Sequence, residues 1–174
     1  MKNLPVKIIV HHTADPNAGP QIENVNNWHK ERNFNKSQLG WFVGYHYFIE
    51  KNGEIIQCRF DDENGNHVQG ENFSSIGIGL AGNFDYQSPT ALQIQSLVKV
   101  IGELIKKWGI KENEIYPHRK FKSTSCFGLT LPDNWAKEQY RIFLHNKLLT
   151  ALIALKGLLE KLILLKWKNP KRLD

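Results

Sequence analysis

Cysteine is scarce: Cys58 and Cys126 are the whole supply. Two thiols cannot build a disulfide scaffold, so the fold must rest on a packed core, and both read as free thiols. Neither belongs to a Cys-x-x-Cys pair, and no His-x-x-x-His pair occurs, so the usual marks of a closed structural zinc site are missing. Long charge-free apolar runs are also missing. The most leucine-rich stretch, Leu148 to Leu165, is interrupted by Lys156, Glu160 and Lys161, which argues against a transmembrane span. The opening residues Met1 to Lys7 carry no apolar h-region and no cleavage site, so synthesis in the cytoplasm without a signal peptide is expected. No segment is low in complexity, and neither an internal repeat nor an interdomain linker is visible.

What is present suits one globular body. The chain has 174 residues, 41% of them hydrophobic and 11% aromatic, enough for a sizeable core. The net charge of +6 is unevenly placed. Residues 147–174 hold seven Lys/Arg against two Asp/Glu, and the rest of the chain holds sixteen against fifteen. The body is therefore nearly neutral and the tail is basic, a pattern that suggests an anionic partner for the tail.

Val6 to His12 is β-branched and continuous, the pattern of a buried strand. Gln21 to Lys30 predicts a helix. Trp41 to Glu50 predicts a strand with Tyr45, Tyr47 and Ile49 on one face and His46 and Phe48 on the other. Asn52-Gly53 marks a hairpin turn into a strand over Ile55 to Phe60. A polar loop over 61–74 leads to a short strand, Ile76 to Leu80, with glycine at alternate positions. Thr90 to Trp108 carries an apolar stripe at helical spacing, stopped by Gly109. Pro132 to Asn146 predicts a last helix with proline in its first turn. The order implies an α/β fold: a central mixed β-sheet flanked by helices, with a C-terminal leucine-rich helix. Residues 1–147 are expected to form the catalytic domain and 148–174 a basic amphipathic helix.

Chemistry concentrates in His118 to Cys126, where an imidazole and a thiol lie eight residues apart in a polar loop. The pair His11-His12 closes the first strand. A strand end and a loop can bring two histidines and a cysteine to one point, and three protein ligands with a fourth position for water define a catalytic zinc site. A zinc hydrolase with ligands His11, His118 and Cys126 is the reading these residues support. The Cys/His mixture favours zinc over magnesium or calcium. His12 is expected on the opposite strand face as a structural residue, His46 packed under the sheet, His29 and His145 at the surface, and Cys58 in the core.

Four motifs, in order, carry a family resemblance. They are Ile8-Ile9-Val10-His11-His12-Thr13; Gly44-Tyr45-His46-Tyr47-Phe48-Ile49 with the following Asn52-Gly53; His67 to Ile78 (His-Val-x-Gly-x-Asn-x-x-Ser-Ile-Gly-Ile) with Gly82-Asn83-Phe84; and His118 through Thr124 to Cys126. Over about residues 6–146 the chain resembles the zinc-dependent N-acetylmuramoyl-L-alanine amidases, the group that includes phage lysozyme-type amidases and peptidoglycan recognition proteins. The resemblance implies one zinc ion on His11, His118 and Cys126. It also implies Tyr45 and Thr124 as catalytic residues and hydrolysis of the amide between the lactyl group of N-acetylmuramic acid and L-alanine. His67 and Asn72, in a loop that could line the glycopeptide cleft, are candidate substrate contacts, as is Asn83. The family often has Asp before the ligand cysteine and Pro-Gly after it, where this chain has Ser125 and Phe127-Gly128.

The expected partner is peptidoglycan or its muropeptides, with no role for nucleic acid because the tail lacks an arginine-rich polar face. The tail is expected to engage an anionic membrane or outer-membrane surface, or to pair with a second copy as a homodimer. The leading biology is a phage-type lysis enzyme that acts on the cell wall after release. Its rivals are a cytosolic muropeptide-recycling amidase and a non-catalytic peptidoglycan-recognition module.

Overall fold

The computed structural model describes residues 2–168. The basic end of the tail, residues 169–174, lies outside them. Five strands form one mixed sheet: β1 (Lys7–His12), β2 (Tyr47–Ile49), β3 (Ile55–Gln57), β4 (Ser75–Leu80) and β5 (Ile115–Pro117). Their spatial order is β3-β2-β4-β1-β5. Only the β2–β3 hairpin is antiparallel; β2–β4, β4–β1 and β1–β5 all run parallel. The helices are α1 (Ile22–Glu31), α2 (Ala91–Trp108) and α3 (Trp135–Lys168).

The two-residue period of a strand sorts its side chains between two cores. Ile8 and Val10 of β1, and Ile76, Ile78 and Leu80 of β4, enter the larger cluster with Leu97, Ile101 and Leu104 of α2. The smaller cluster gathers Val25 of α1 with Val43, Phe48, Cys58 and Ala81. Residues of odd number on β1 and β4 face this second side, so His11, Gly77 and Gly79 share it. Helix α2 is held at both ends. Thr90 and Gln93 form a reciprocal capping box, and Gly109 closes the helix in the left-handed conformation. Helix α1 has no side-chain cap of its own. Its first amides, those of Gln21 and Ile22, donate instead to the buried Glu50 carboxylate, both at 2.8 Å, which also suits the positive end of the helix dipole.

The long strand expected over Trp41 to Glu50 shrinks to three residues. Gly44 runs against the 66–67 loop, where an added Cβ would meet the Asn66 carbonyl oxygen at 2.2 Å, and its own carbonyl accepts from the Asn66 amide at 2.9 Å. With its carbonyl on that loop and its amide donating to His29 Nδ1 at 3.2 Å, Gly44 has no backbone group left for a strand ladder. Tyr45 consequently does not share a face with Tyr47. It packs with the Val25–Phe48 cluster, while Tyr47 packs on the α2 side. The last helix starts at Trp135 rather than Pro132, whose carbonyl accepts from the Trp135 amide.

Two compact units are present, Met1–Tyr140 and Arg141–Asp174. In the second, leucines on the 148-152-155-159-162 seam are 53–63% exposed, and so are those off it, such as Leu158 and Leu164 at 59% and 61%. Among the described residues, no helix is long and apolar enough to cross a membrane.

Candidate metal centre

Parallel strands end together, and ligand sites of α/β sheets form at their carboxyl edge. His11 is the penultimate residue of β1. The β1–β5 register pairs Val10 with Pro117, so the next residues along, His11 and His118, are neighbours with ring centroids 4.5 Å apart. Cys126 arrives from the following loop. Its amide donates to Thr124 Oγ1 at 3.2 Å, its carbonyl accepts from the Arg119 amide at 2.8 Å, and its sulfur accepts from the His12 amide at 3.4 Å. The Arg119 guanidinium ties the loop further, donating to the carbonyls of Gly128 and Leu131. Gly128 is required there: its φ is +113°, and a Cβ would strike the Phe84 backbone at 2.5 Å.

One donor atom each from His11, His118 and Cys126 falls within 4.8 Å of the others. His118 Nε2 is buried with no hydrogen-bond partner among the described residues, an arrangement that is costly unless something occupies it. Burial lowers the His118 pKa to about 4 and holds His11 well below its ordinary value, aided by the neighbouring imidazoles. Both rings are therefore neutral with a lone pair to offer. Burial pushes the Cys126 thiol up to about 12, against a downward pull from the His12 amide. A thiolate there needs a cation beside it. Two neutral imidazoles and a thiol that ionises only against a cation form a donor set that fits zinc.

The three donors sit in the floor of a cleft of about 320 Å³, whose walls include Trp28, His29, Arg32, Tyr45, His67, Lys122 and Thr124. Tyr45 lies 5.0 Å from His11, ring to ring. Its hydroxyl has no hydrogen-bond partner among the described residues. Desolvation raises the phenol pKa above its usual 10, so it stays a donor. Thr124 lines the cleft, but its hydroxyl oxygen is engaged by the Cys126 amide.

Other expected residues fall differently. Asn72 does not line the cleft. Its Oδ1 accepts from the amides of His67 and Val68 at 2.8 and 2.9 Å, stapling the loop. Asn83 is likewise away from the cleft, its Oδ1 accepting from the Asp85 amide at 3.0 Å. His12 is on the far face, with Nδ1 accepting from the Phe84 amide. His46 is fully buried, accepting from the Gly77 amide and facing the Glu63 carbonyl. Cys58 is core, and His145 is exposed. His29 was expected at the surface but is 3% exposed, stacked on Phe34 and accepting from the Gly44 amide. The signal for it is its place four residues after Val25, one turn along the buried face of α1. Arg32 and Lys122 were not anticipated as cleft residues. Arg32 lies 4.5 Å over the Trp28 ring, on which it stacks.

Comparison with known proteins identifies the family. The sequence profile described as N-acetylmuramoyl-L-alanine amidase matches residues 2–129. The endolysin of Escherichia phage T7 is 29% identical over 139 residues, covering 76% of this chain and 86% of that protein. Peptidoglycan-recognition protein SC2 of Drosophila melanogaster is 26% identical over 125 residues, covering 71% and 68%. Among solved structures, the N-acetylmuramoyl-L-alanine amidase LysC from Clostridium intestinale URNW superposes with a TM-score of 0.67 at 30% identity, covering 82% of this chain and 87% of that one. A bumblebee recognition protein, PGRP-SA, shares the fold with a TM-score of 0.63 at 24% identity. A profile match over most of the compact body, on a sheet whose carboxyl edge gathers two imidazoles and a thiol, places this chain in the N-acetylmuramoyl-L-alanine amidase family.

Proposed function

We propose that this amidase cleaves the bond between the lactyl group of N-acetylmuramic acid and L-alanine of the peptidoglycan stem peptide, using a zinc ion held by His11, His118 and Cys126. The observation that carries the zinc reading is the meeting of three donors at the cleft floor, one of them a half-buried imidazole whose Nε2 is buried with no hydrogen-bond partner among the described residues. When bound, the ion supplies Lewis-acid polarisation of the scissile carbonyl and of the attacking water. The chain's own residues do the rest. Tyr45 offers its hydroxyl towards the oxygen on which negative charge develops. Thr124 holds the Cys126 amide and so fixes the loop that delivers the thiolate. Trp28, with Arg32 stacked on it, presents a flat, cationic wall to the glycopeptide.

The setting is a phage-type lysis enzyme, made in the cytoplasm and reaching the wall after release. The tail from residue 148 serves as an accessory helix. Its leucines are exposed around the whole circumference, a pattern stable in water only when something covers it. An anionic membrane or outer-membrane surface is the cover its basic charge fits, and a second copy is the alternative. Deleting 148–174 should then weaken lysis of intact cells more than hydrolysis of purified wall; equal loss in both assays would remove the membrane role.

The deciding experiment follows new L-alanine N-termini released from purified peptidoglycan. Activity is expected in the protein as purified, lost on chelation, restored by zinc and absent in Cys126→Ser. Sacculus binding with no amine released in any sample would make the protein a recognition module instead.

A further inference from the structure

His67 belongs to the chain of groups beneath the metal centre. Its Nδ1 lies 3.0 Å from His11 Nε2 and its Nε2 lies 3.4 Å from Ser75 Oγ. The direction of these bonds follows from the last member. Ser75 donates its hydroxyl proton to the Glu71 carbonyl at 2.7 Å, so its oxygen is left to accept from His67 Nε2–H. His67 Nδ1 then carries a lone pair and accepts from His11 Nε2–H. That leaves His11 Nδ1 unprotonated, and this is the nitrogen that faces Cys126 Sγ, at 3.8 Å.

The seat for the His67 ring is built in advance. A Cβ at Gly65 would approach the ring to 2.4 Å and one at Gly77 to 2.7 Å, so only glycine at both positions leaves room for an imidazole. The backbone on which the ring hangs is pinned by the Asn72 carboxamide, and the loop is tied to β1 by the Lys7–Glu71 ion pair at 2.7 Å. We infer that His67 is a positioning residue. By accepting the Nε2 proton of His11, it holds that ring in the one tautomer and orientation that presents Nδ1 to the metal. The assignment rests on the zinc reading above. It replaces a substrate-contact role for His67 with a role in metal affinity, as partners behind a ligand imidazole generally have.

Two substitutions separate the roles. His67→Phe fills the seat but accepts no proton; His67→Gln keeps an acceptor oxygen. Zinc affinity is measured on the full chain by competition with a chromophoric chelator, and the His11 tautomer is read from long-range proton–nitrogen spectra of the labelled apoprotein. His67→Phe is expected to weaken zinc by ~10–100-fold and to mix the His11 tautomers, with His67→Gln recovering most of the affinity. If His67→Phe does not fold, Ser75→Ala, which frees His67 to adopt the other tautomer, is expected to weaken zinc in the same direction. Unchanged zinc affinity in the folded variants, with only KM for peptidoglycan raised, would overturn the inference and return His67 to substrate contact. Absence of zinc binding by the unaltered protein would instead remove the zinc reading itself.

Discussion

Tyr45→Phe removes one oxygen and leaves the ring. The ring is held by His11 at 5.0 Å, by His29 at 5.6 Å and by the bare backbone of Gly79, where a Cβ would come within 2.5 Å. None of these contacts uses the hydroxyl, which opens into the cleft without a partner among the described residues. Stability should therefore change by no more than ~0.5 kcal/mol, and zinc affinity should not change. Catalysis should. An oxyanion donor in a partly dry cleft contributes ~3–4 kcal/mol to the transition state, so kcat should fall by ~10²–10³. KM should barely move, because the interaction strengthens only as charge develops. The assay is initial-rate release of L-alanine N-termini at saturating and limiting peptidoglycan, beside chelator competition for zinc. A kcat within about threefold of the unaltered enzyme, under ~1 kcal/mol, would refute the reasoning, and so would a loss traced wholly to weaker zinc binding.

Other outcomes follow from the same structure. Gly79→Ala should displace the Tyr45 ring, lowering kcat towards the Tyr45→Phe level and costing ~1–3 kcal/mol of stability from overpacking, read by urea titration. Asp61→Asn should cost ~1.5–3 kcal/mol. That buried carboxylate accepts from Lys107 at 2.6 Å, Tyr47 at 2.7 Å and Trp108 at 2.9 Å, and its depressed pKa means the stability is present at neutral pH and lost in acid. His46 should make the apoprotein acid-sensitive in a higher window. Burial lowers its pKa from 6.5 to about 4, so the unfolded chain takes up a proton that the folded one refuses. The stability is full above pH 6.5 and is lost as pH falls towards 4, by ~2 kcal/mol between pH 7 and 5. His46→Gln should flatten that slope in urea titrations of the chelated protein, and an unchanged slope would count against the assignment.

Much of this protein was legible in one dimension. The buried first strand, the capped and glycine-stopped α2, and the Asn-Gly hairpin are local patterns whose causes lie within a few residues. The alternation that sends His11 and His12 to opposite faces needs only the strand period. The gathering of His11, His118 and Cys126 is legible because each sits at a strand end or in a polar loop, where side chains are free to converge. What tertiary structure decided involves groups distant along the chain. Gly44 spends its carbonyl on the 66–67 loop and its amide on His29, which turns Tyr45 away from Tyr47 and into the cleft. Asn72 staples its own loop instead of lining a groove. His29 is buried because Phe34 and the Gly44 amide close over it. His67 reaches His11 only because Gly65 and Gly77 lack side chains. Periodicity reports which face of an element is wet or dry; it carries no information on which distant backbone will claim a hydrogen bond, and those claims set the orientation of the groups around the metal centre.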